Sequence, residues 1–568
     1  MKKYCGIAVS NGIAVGPVHL YNPALTAPAY SFDGRSVEEQ LLAYKQAHIK
    51  AEDELSLLQA RLENEQGAIF DAHREILNDA VIEEEIISMV SSGLVFLDEA
   101  IKAVYSKYAS ILGDSSNLLF QERARDMEDV CNRLLRLCTG VNVGSLACTE
   151  PCILAAKDLL PSDTATLDPK MILAIITEQG GPTSHTAIIA RSHGIPAVLG
   201  VGSFLAELRE GQTIAVDACQ GDIFADIDKM TIAEFQRRAN EFSEKEKELA
   251  KYLSKPAVTQ DGVHIDINLN IASAEAKELS FAQYADGVGL FRTEFLFLGR
   301  QKLPSEEEQV AIYRKVLSAF QGKPVILRTL DIGGDKQASC LPLPHEENPF
   351  LGNRALRLCF TFPDVLKTQL RAALRASVAG ILWLMFPMVG CLNDIRNVRN
   401  ILNEVQRELD DAGIPYARNI KLGIMIEIPS IALLAEKVVQ EVDFASIGSN
   451  DLCQYLMAAD RMNPDVAKYY QPMNPAMFRL ISLVSRTFID AGKPISLCGE
   501  LAGNPIASVV LVGMGMRKLS MNPDAIPRVK KLLCSISVEQ AQQAACQVCA
   551  LGTEQEVRDY LETSFVYE

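Results

Sequence analysis

From Gly262 onward, eight short apolar runs alternate with longer stretches whose apolar residues recur every three or four positions. The runs are His264–Leu269, Val288–Phe291, Val325–Leu330, Ile381–Phe386, Leu422–Glu427, Phe444–Ile447, Ile495–Cys498 and Lys518–Met521. Each change of period predicts a buried strand followed by a helix with one apolar face. Eight such units over about 280 residues have the size and rhythm of a (β/α)8 TIM barrel, with its strands parallel.

Ahead of this region the texture differs. Gly6–Val18 reads as two short β-rich pieces with a turn at Asn11-Gly12. From Ser36 to about residue 140 the pattern is that of long helices with one apolar face, such as Glu39–Leu62 and Glu122–Leu137, and proline is almost absent. β-rich runs return at Ile153–Ala156, Met171–Thr177, Ala197–Leu199, Thr213–Val216 and Asp222–Phe224. A charged helical run from Lys229 to Tyr252, closed by Ser254-Lys255-Pro256, fits a linker helix or a solvated helix packed on one domain.

Composition narrows the class. A chain of 568 residues exceeds one compact core and implies several domains. Hydrophobic residues at 48% and charged residues at 22% describe a soluble globular protein. No apolar run approaches bilayer length, and Lys2-Lys3 precedes only a short apolar patch, so a cytoplasmic location is expected. Fourteen cysteines in a chain of this size read as reduced thiols. Cys546 and Cys549 form a C-x-x-C without a second pair or histidine group, a chance spacing in a terminal helix. The net charge of −17 argues against nucleic acid and favours a basic partner or simple solubility. Residues 34–140 carry 20 acidic against 11 basic side chains, as a docking surface or a solvated bundle would.

The dodecapeptide from Gly180 to Arg191 carries the first candidate chemistry. An apolar run, Met171–Ile176, leads through Gly180-Gly181-Pro182 into Thr183-Ser184-His185 and an apolar helical pattern. Thr183 or Ser184 is the natural helix cap, which leaves His185 in the first turn beside unpaired backbone N–H groups. A lone histidine there is ordinarily only a polar residue at a helix start. A phosphate carried on it would nonetheless be held by those donors and by the helix dipole. The stretch resembles the phosphohistidine motif shared by enzyme I of the bacterial sugar phosphotransferase system, pyruvate phosphate dikinase and phosphoenolpyruvate synthase. In that resemblance His185 is the residue phosphorylated, and Pro182 departs from the pattern.

Active sites of barrels lie at the C-terminal ends of the strands. Arg292, Arg328, Asp331, Glu427, Asn450, Asp451, Cys498 and Glu500 stand at or just after such ends, with Lys336 behind Gly333-Gly334. Convergent arginines and a lysine suit a small, densely anionic ligand, and two carboxylates with ligand phosphate oxygens suit magnesium. Each residue alone reads equally well as a structural ion-pair partner.

Six motifs in order make the resemblance to enzyme I specific over essentially the whole chain. Besides the histidine stretch they are Gly289–Leu296, Arg328–Lys336, Glu347–Gly352 with Arg354, Gly448–Leu452 and Cys498-Gly499-Glu500. The resemblance implies a multidomain protein. Its phosphohistidine α/β domain would comprise residues 1–33 and 141–228, with an inserted helical subdomain at 34–140 that docks the carrier protein HPr. A linker at 229–256 would lead to a TIM barrel at 257–568 that binds phosphoenolpyruvate and forms a homodimer. It further implies phosphoryl transfer from phosphoenolpyruvate to His185 and on to HPr, releasing pyruvate. Arg292, Arg328 and Arg461 would hold phosphoenolpyruvate, with Lys336, Arg354 and Asn450 close by. Glu427 and Asp451 would bind Mg2+, and Cys498 would protonate the pyruvate enolate.

Three departures stand out: Ser449 and Cys453 where threonines are expected, and Arg74-Glu75 on a face expected to be apolar. The nearest rival, an ATP-dependent dikinase or synthase, needs a large nucleotide-binding domain, for which the helical module is too short and too poor in glycine. A non-catalytic regulator that keeps the fold is the other alternative, and retention of His185, Glu427, Asp451 and Cys498 counts against it.

Overall fold

The computed structural model describes residues 1–565 apart from 22–34, 62–64, 114–117, 140–149, 165–166, 182–183, 299, 334–337, 339, 342 and 344–345. For residues 60–61, 65–69, 118–122, 162, 185 and 464 it describes the backbone alone. The chain forms two compact units, Met1–Glu246 and Lys247–Glu568, divided within the helix Lys229–Leu253.

In the first unit one eight-stranded sheet draws on both sides of the helical region. Its strands are β1 (Lys2–Cys5), β2 (Ile7–Ser10), β3 (Ile13–Tyr21), β4 (Cys152–Ala156), β5 (Ile172–Thr177), β6 (Ala197–Leu199), β7 (Thr213–Asp217) and β8 (Asp222–Ala225). They lie in the order β1-β8-β7-β3-β4-β5-β6-β2. The Asn11-Gly12 turn does not make a hairpin: β2 pairs with β6 at one edge, whereas β3 lies between β7 and β4. The longer β3 finds two partners, which one short neighbour could not supply. The chain therefore crosses over at Gly12, whose φ of 152° and contact with the Pro196 ring leave no room for a Cβ.

Among the described residues, five helices lie between β3 and β4: Val37–Arg61, Glu65–Leu77, Ala80–Ser91, Leu97–Gly113 and Leu118–Thr139. Tyr44, Ala47, Ala51 and Leu55 fall three or four residues apart on the first and are buried together with Ile86, Val90, Ile101, Val104 and Leu134. Arg74, at one of the charged departures, pairs with Glu52 at the surface of this bundle, its Nε 2.7 Å from Glu52 Oε1. Glu75 beside it is exposed.

The second unit is built on a closed barrel of eight parallel strands. These are β9 (Asp266–Ile271), β10 (Val288–Arg292), β11 (Pro324–Arg328), β12 (Ile381–Phe386), β13 (Lys421–Ile426), β14 (Phe444–Ile447), β15 (Ile495–Leu497) and β16 (Lys518–Met521). The eight expected runs are all present, within about two residues at their ends. Val325–Leu330 stops as a strand at Arg328 because the chain there turns to side-chain partners: Thr293 Oγ1 donates to Arg328 O (2.7 Å) and Leu330 N donates to Gln369 Oε1 (2.8 Å). Inside the barrel Leu290, Ile326, Met385, Met425, Phe444 and Cys498 form a separate apolar cluster. Gly423 on β13 is needed there, since a Cβ would lie 2.5 Å from the Phe444 ring.

Candidate active site at the mouth of the barrel

A cavity of about 420 Å³ opens at the C-terminal ends of β10, β11, β13, β14 and β15. Of the residues expected there, Arg292, Arg328, Glu427, Asn450, Asp451, Arg461 and Cys498 line it. Arg354 stands directly behind it, bonded to Asp451. Lys336 lies outside the described residues.

Arg328 and Arg354 are held by carboxylates. Arg328, at the end of β11, donates from Nη2 to Glu294 Oε1 (2.6 Å) and pairs from Nη1 with Asp331 Oδ2 (3.0 Å). Arg354, only 1% exposed, donates from Nη2 to Asp331 Oδ1 (2.9 Å) and from Nη1 to Asp451 Oδ1 (3.2 Å). Asp331 thus bridges two guanidinium groups and fixes their planes. Arg461 reaches Asp451 Oδ1 at 3.7 Å, and its guanidinium and that of Arg354 flank the Phe350 ring at 5.8 and 5.7 Å. Arg292 and Arg461 are half-buried and turn toward the cavity, as suits a ligand-facing cation.

Among the described residues, acidic groups outnumber basic ones in the dry part of the site. Arg328 and Arg354 are buried with four carboxylates: Glu294, Asp331, Glu427 and Asp451. Glu427, 0% exposed, accepts Met388 N at Oε1 (2.6 Å), and its Oε2 has no hydrogen-bond partner among the described residues. Burial, and then the nearby Asp451 and Asp331 carboxylates, hold the Glu427 carboxyl above the usual range. A buried carboxylate oxygen without a donor, in a cluster with excess negative charge, fits a hard divalent cation. Glu427 and Asp451 are nearest that description, since both oxygens of Asp331 face arginines whereas Asp451 meets Arg354 and Arg461 through Oδ1.

Another acidic group, His264, Asp266 and Asp286, lies at the opposite end of the barrel. There Asp266 already pairs with Lys518 and with His264, and Asp286 accepts Ile267 N, so it reads as structural.

Asn450 and Asp451 occupy the first turn of the helix Ser449–Met457 that follows β14. Asn450 is locked to the neighbouring loop: Glu500 N donates to its Oδ1 (3.0 Å), and its Nδ2 reaches Glu500 Oε1 (3.4 Å). Ser449, one of the departures, sits where a Cβ on Gly499 would collide with its hydroxyl, so the two loops approach through that glycine. Cys453 is buried in the same helix, away from the cavity. Cys498 follows β15, is 2% exposed, and points its Sγ to Ile447 O at 3.6 Å. Burial pushes its thiol up to about 11, so it is a proton-bearing group at neutral pH.

In the first unit the expected order of strand, turn and helix is present. β5 ends at Thr177 and the helix His185–His193 begins at a cap on Ser184, whose side chain accepts Ala187 N at 3.3 Å. His185 is the first helical residue. Its side chain, with Pro182 and Thr183, lies outside the described residues.

The linear chain marks Asp331 only as a strand-end residue and gives no role to Glu294, Gln369 or Tyr455. Glu294 follows Arg292-Thr293 and precedes the apolar Phe295–Leu298, with no local signal that it would be fully buried. Gln369 and Tyr455 lie on helices, and only the fold brings them to the strand ends. Gln369 donates to Thr293 Oγ1 (3.0 Å) and Tyr313 Oη (3.2 Å), and Tyr455 Oη donates to Phe350 O (2.6 Å).

Known proteins align with this architecture. Residues 246–538 match the PEP-binding domain of PEP-utilising enzymes, residues 148–221 their mobile domain and residues 5–123 their N-terminal domain. The chain is 38% identical to the phosphoenolpyruvate-protein phosphotransferase of Priestia megaterium over 99% of both chains. It is 39% identical to that of Geobacillus stearothermophilus, over 99% of this chain and 98% of the relative. With Bacillus subtilis (strain 168) the identity is 37% over the full length of both. With three matching domains in sequence and relatives similar over their whole length, the chain belongs to the family of phosphoenolpyruvate-protein phosphotransferases.

Proposed function

We propose that the protein moves the phosphoryl group of phosphoenolpyruvate to its own His185 and then to a histidine on the carrier HPr, releasing pyruvate. The observation that carries this reading is the mouth of the barrel, where arginines immobilised by Asp331, Glu294 and Asp451 surround a cavity sized for a small anion. Arg292, Arg328 and Arg461 hold the phosphate and carboxylate of phosphoenolpyruvate, with Arg354, Asn450 and Lys336 close to it. Because the guanidinium planes of Arg328 and Arg354 are already set, little reorganisation is needed there as charge develops on the enolate oxygen. Glu427 and Asp451 would hold magnesium, which when bound neutralises phosphate and enolate charge.

An imidazole nitrogen of His185 displaces the enolate from phosphorus in line. The Cys498 S–H then gives its proton to C3 of the enolate, forming the methyl group of pyruvate, and the thiolate recovers a proton from solvent. The high thiol pKa suits this role, since the proton is held until a strongly basic carbon arrives.

The same reading assigns residues 1–33 and 141–228 to the phosphohistidine domain, 34–140 to HPr docking and 257–568 to phosphoenolpyruvate binding and dimerisation. The segment 229–256 is the hinge of a swivelling motion, and the site of action is the cytoplasm. Among the described residues no helix is long and apolar enough to cross a membrane. Incubation with phosphoenolpyruvate labelled at phosphorus, with magnesium, should leave an acid-labile label on the wild type and none on His185→Ala. Label from ATP, or label persisting in His185→Ala, overturns the reading.

A further inference from the structure

The barrel is not equally well closed at every seam. β11 and β12 pair at five positions, β14 and β15 at three, and β16 and β9 at four, but β15 and β16 pair only at Leu497 and Leu519. Cys498 is the next residue after that single pair, so the ladder holds it on one side only, through its own N–H to Ile447 O (3.0 Å).

A side chain from a third strand reaches across the thin seam. Asn270, near the end of β9, donates from Nδ2 to Cys498 O (3.1 Å) and toward Ser520 O (3.4 Å), and its Oδ1 accepts from Ser520 Oγ (2.6 Å). The orientation of the amide follows from its partners: two backbone carbonyls only accept, so the NH2 group must face them. Asn270 thus supplies the lateral hydrogen bond that the β15–β16 ladder lacks, and places it on the carbonyl of Cys498. It does not line the cavity.

We infer that Asn270 is a positioning residue for proton transfer by Cys498: it fixes the backbone from which the S–H is aimed at C3 of the enolate. The step is the one already described, in which the S–H bond breaks, the C3–H bond forms and the enolate C–O becomes the pyruvate carbonyl. This inference rests on Cys498 being the proton donor. Displacement of a reacting group by about 1 Å lowers a rate by up to about a hundredfold. Release of Cys498 O should therefore slow protonation while leaving the arginine cluster, on other strands, intact.

The test uses the full-length protein with phosphorylated His185 and magnesium, and follows exchange of pyruvate methyl protons with deuterated solvent, the same step in reverse. Asn270→Ala should exchange about ten- to a hundredfold more slowly than wild type, with the phosphoenolpyruvate KM within about threefold. Asn270→Asp, equal in shape but without the donor, should fall at least as far. Combined with Cys498→Ala, Asn270→Ala should add no further loss, because the two act on one step. Ser520→Ala removes only the hydroxyl that orients the amide and should give a smaller loss of the same kind, which keeps the test usable if Asn270 variants fold poorly. Exchange at the wild-type rate in Asn270→Asp and Ser520→Ala, or a proportional rise in KM, overturns the inference alone. Undiminished exchange in Cys498→Ala overturns it together with the assignment of the proton donor.

Discussion

Cys498 offers a direct test of the electrostatics at the mouth of the barrel. Its thiol is buried against Ile447 O and pushed up to about 11. An ordinary cysteine, with a pKa of about 8.5, is about one-tenth thiolate at pH 7.5, whereas a thiol at about 11 is ionised to roughly 3 parts in 10,000. Alkylation proceeds through the thiolate, so ionisation alone should make Cys498 react about 300-fold more slowly than a free thiol at that pH. Burial slows access as well, but the two causes have different signatures. Restricted access lowers the rate by one factor at every pH and leaves the profile levelling near the ordinary pKa. A raised pKa keeps the rate climbing about tenfold per pH unit through pH 9.5, where an ordinary thiol has already levelled. Isotope-coded iodoacetamide, with the exposed Cys391 as reference in the same digest and mass spectrometry as readout, measures both. A Cys498 rate within about tenfold of Cys391 at pH 7.5, or a profile that levels below pH 9, would refute the argument and weaken the case for Cys498 as a proton donor.

Further outcomes follow from the same structure. Glu427→Gln removes the carboxylate whose Oε2 lacks a donor, so divalent-cation affinity, measured by calorimetry, should fall at least tenfold while the fold is kept. Asp331→Asn strips the shared partner from Arg328 and Arg354; the second unit should lose about 3–5 kcal/mol in denaturant unfolding, with lost phosphoenolpyruvate binding. Asp163 is raised to about 6 by burial, although it accepts Tyr21 Oη at 2.6 Å. A raised carboxyl binds its proton more tightly in the folded state, so its stabilising contribution is full below about pH 4 and is lost as pH rises through about 6. Asp163→Asn should therefore flatten the stability profile of the first unit between those values, by up to about 3 kcal/mol. Equal slopes in thermal melts of wild type and variant from pH 4 to 6 would contradict that assignment.

Much of this protein is legible in the linear chain, because the signals are local. Strand and helix periods depend on which faces are buried, and a barrel repeats that alternation eight times, so the positions of β9–β16 follow from the pattern of apolar residues. The rule that chemistry gathers at C-terminal strand ends then selects Arg292, Arg328, Glu427, Asn450, Asp451 and Cys498 with no knowledge of distances. A cap at Thr183 or Ser184 with His185 in the first turn is equally local, and the structure selects Ser184.

What the chain alone could not decide depends on residues far apart in sequence. The Asn11-Gly12 turn joins strands with different partners because β3 is claimed by β4 and β7 from beyond the helices. Arg74 is a charge on a face expected to be apolar, and only the fold shows Glu52 beside it. That Asp331 pairs with both Arg328 and Arg354 is visible only in the fold, and Asn270 has no visible role until β9 closes the barrel beside β16. The elements, their order and the residue types that carry charge and protons are readable in the linear chain, because each follows from short-range periodicity and side-chain chemistry. The tertiary structure alone decided which charges are spent on one another and which remain for a ligand, because pairing and desolvation are set by burial and distance between segments that the linear chain keeps apart.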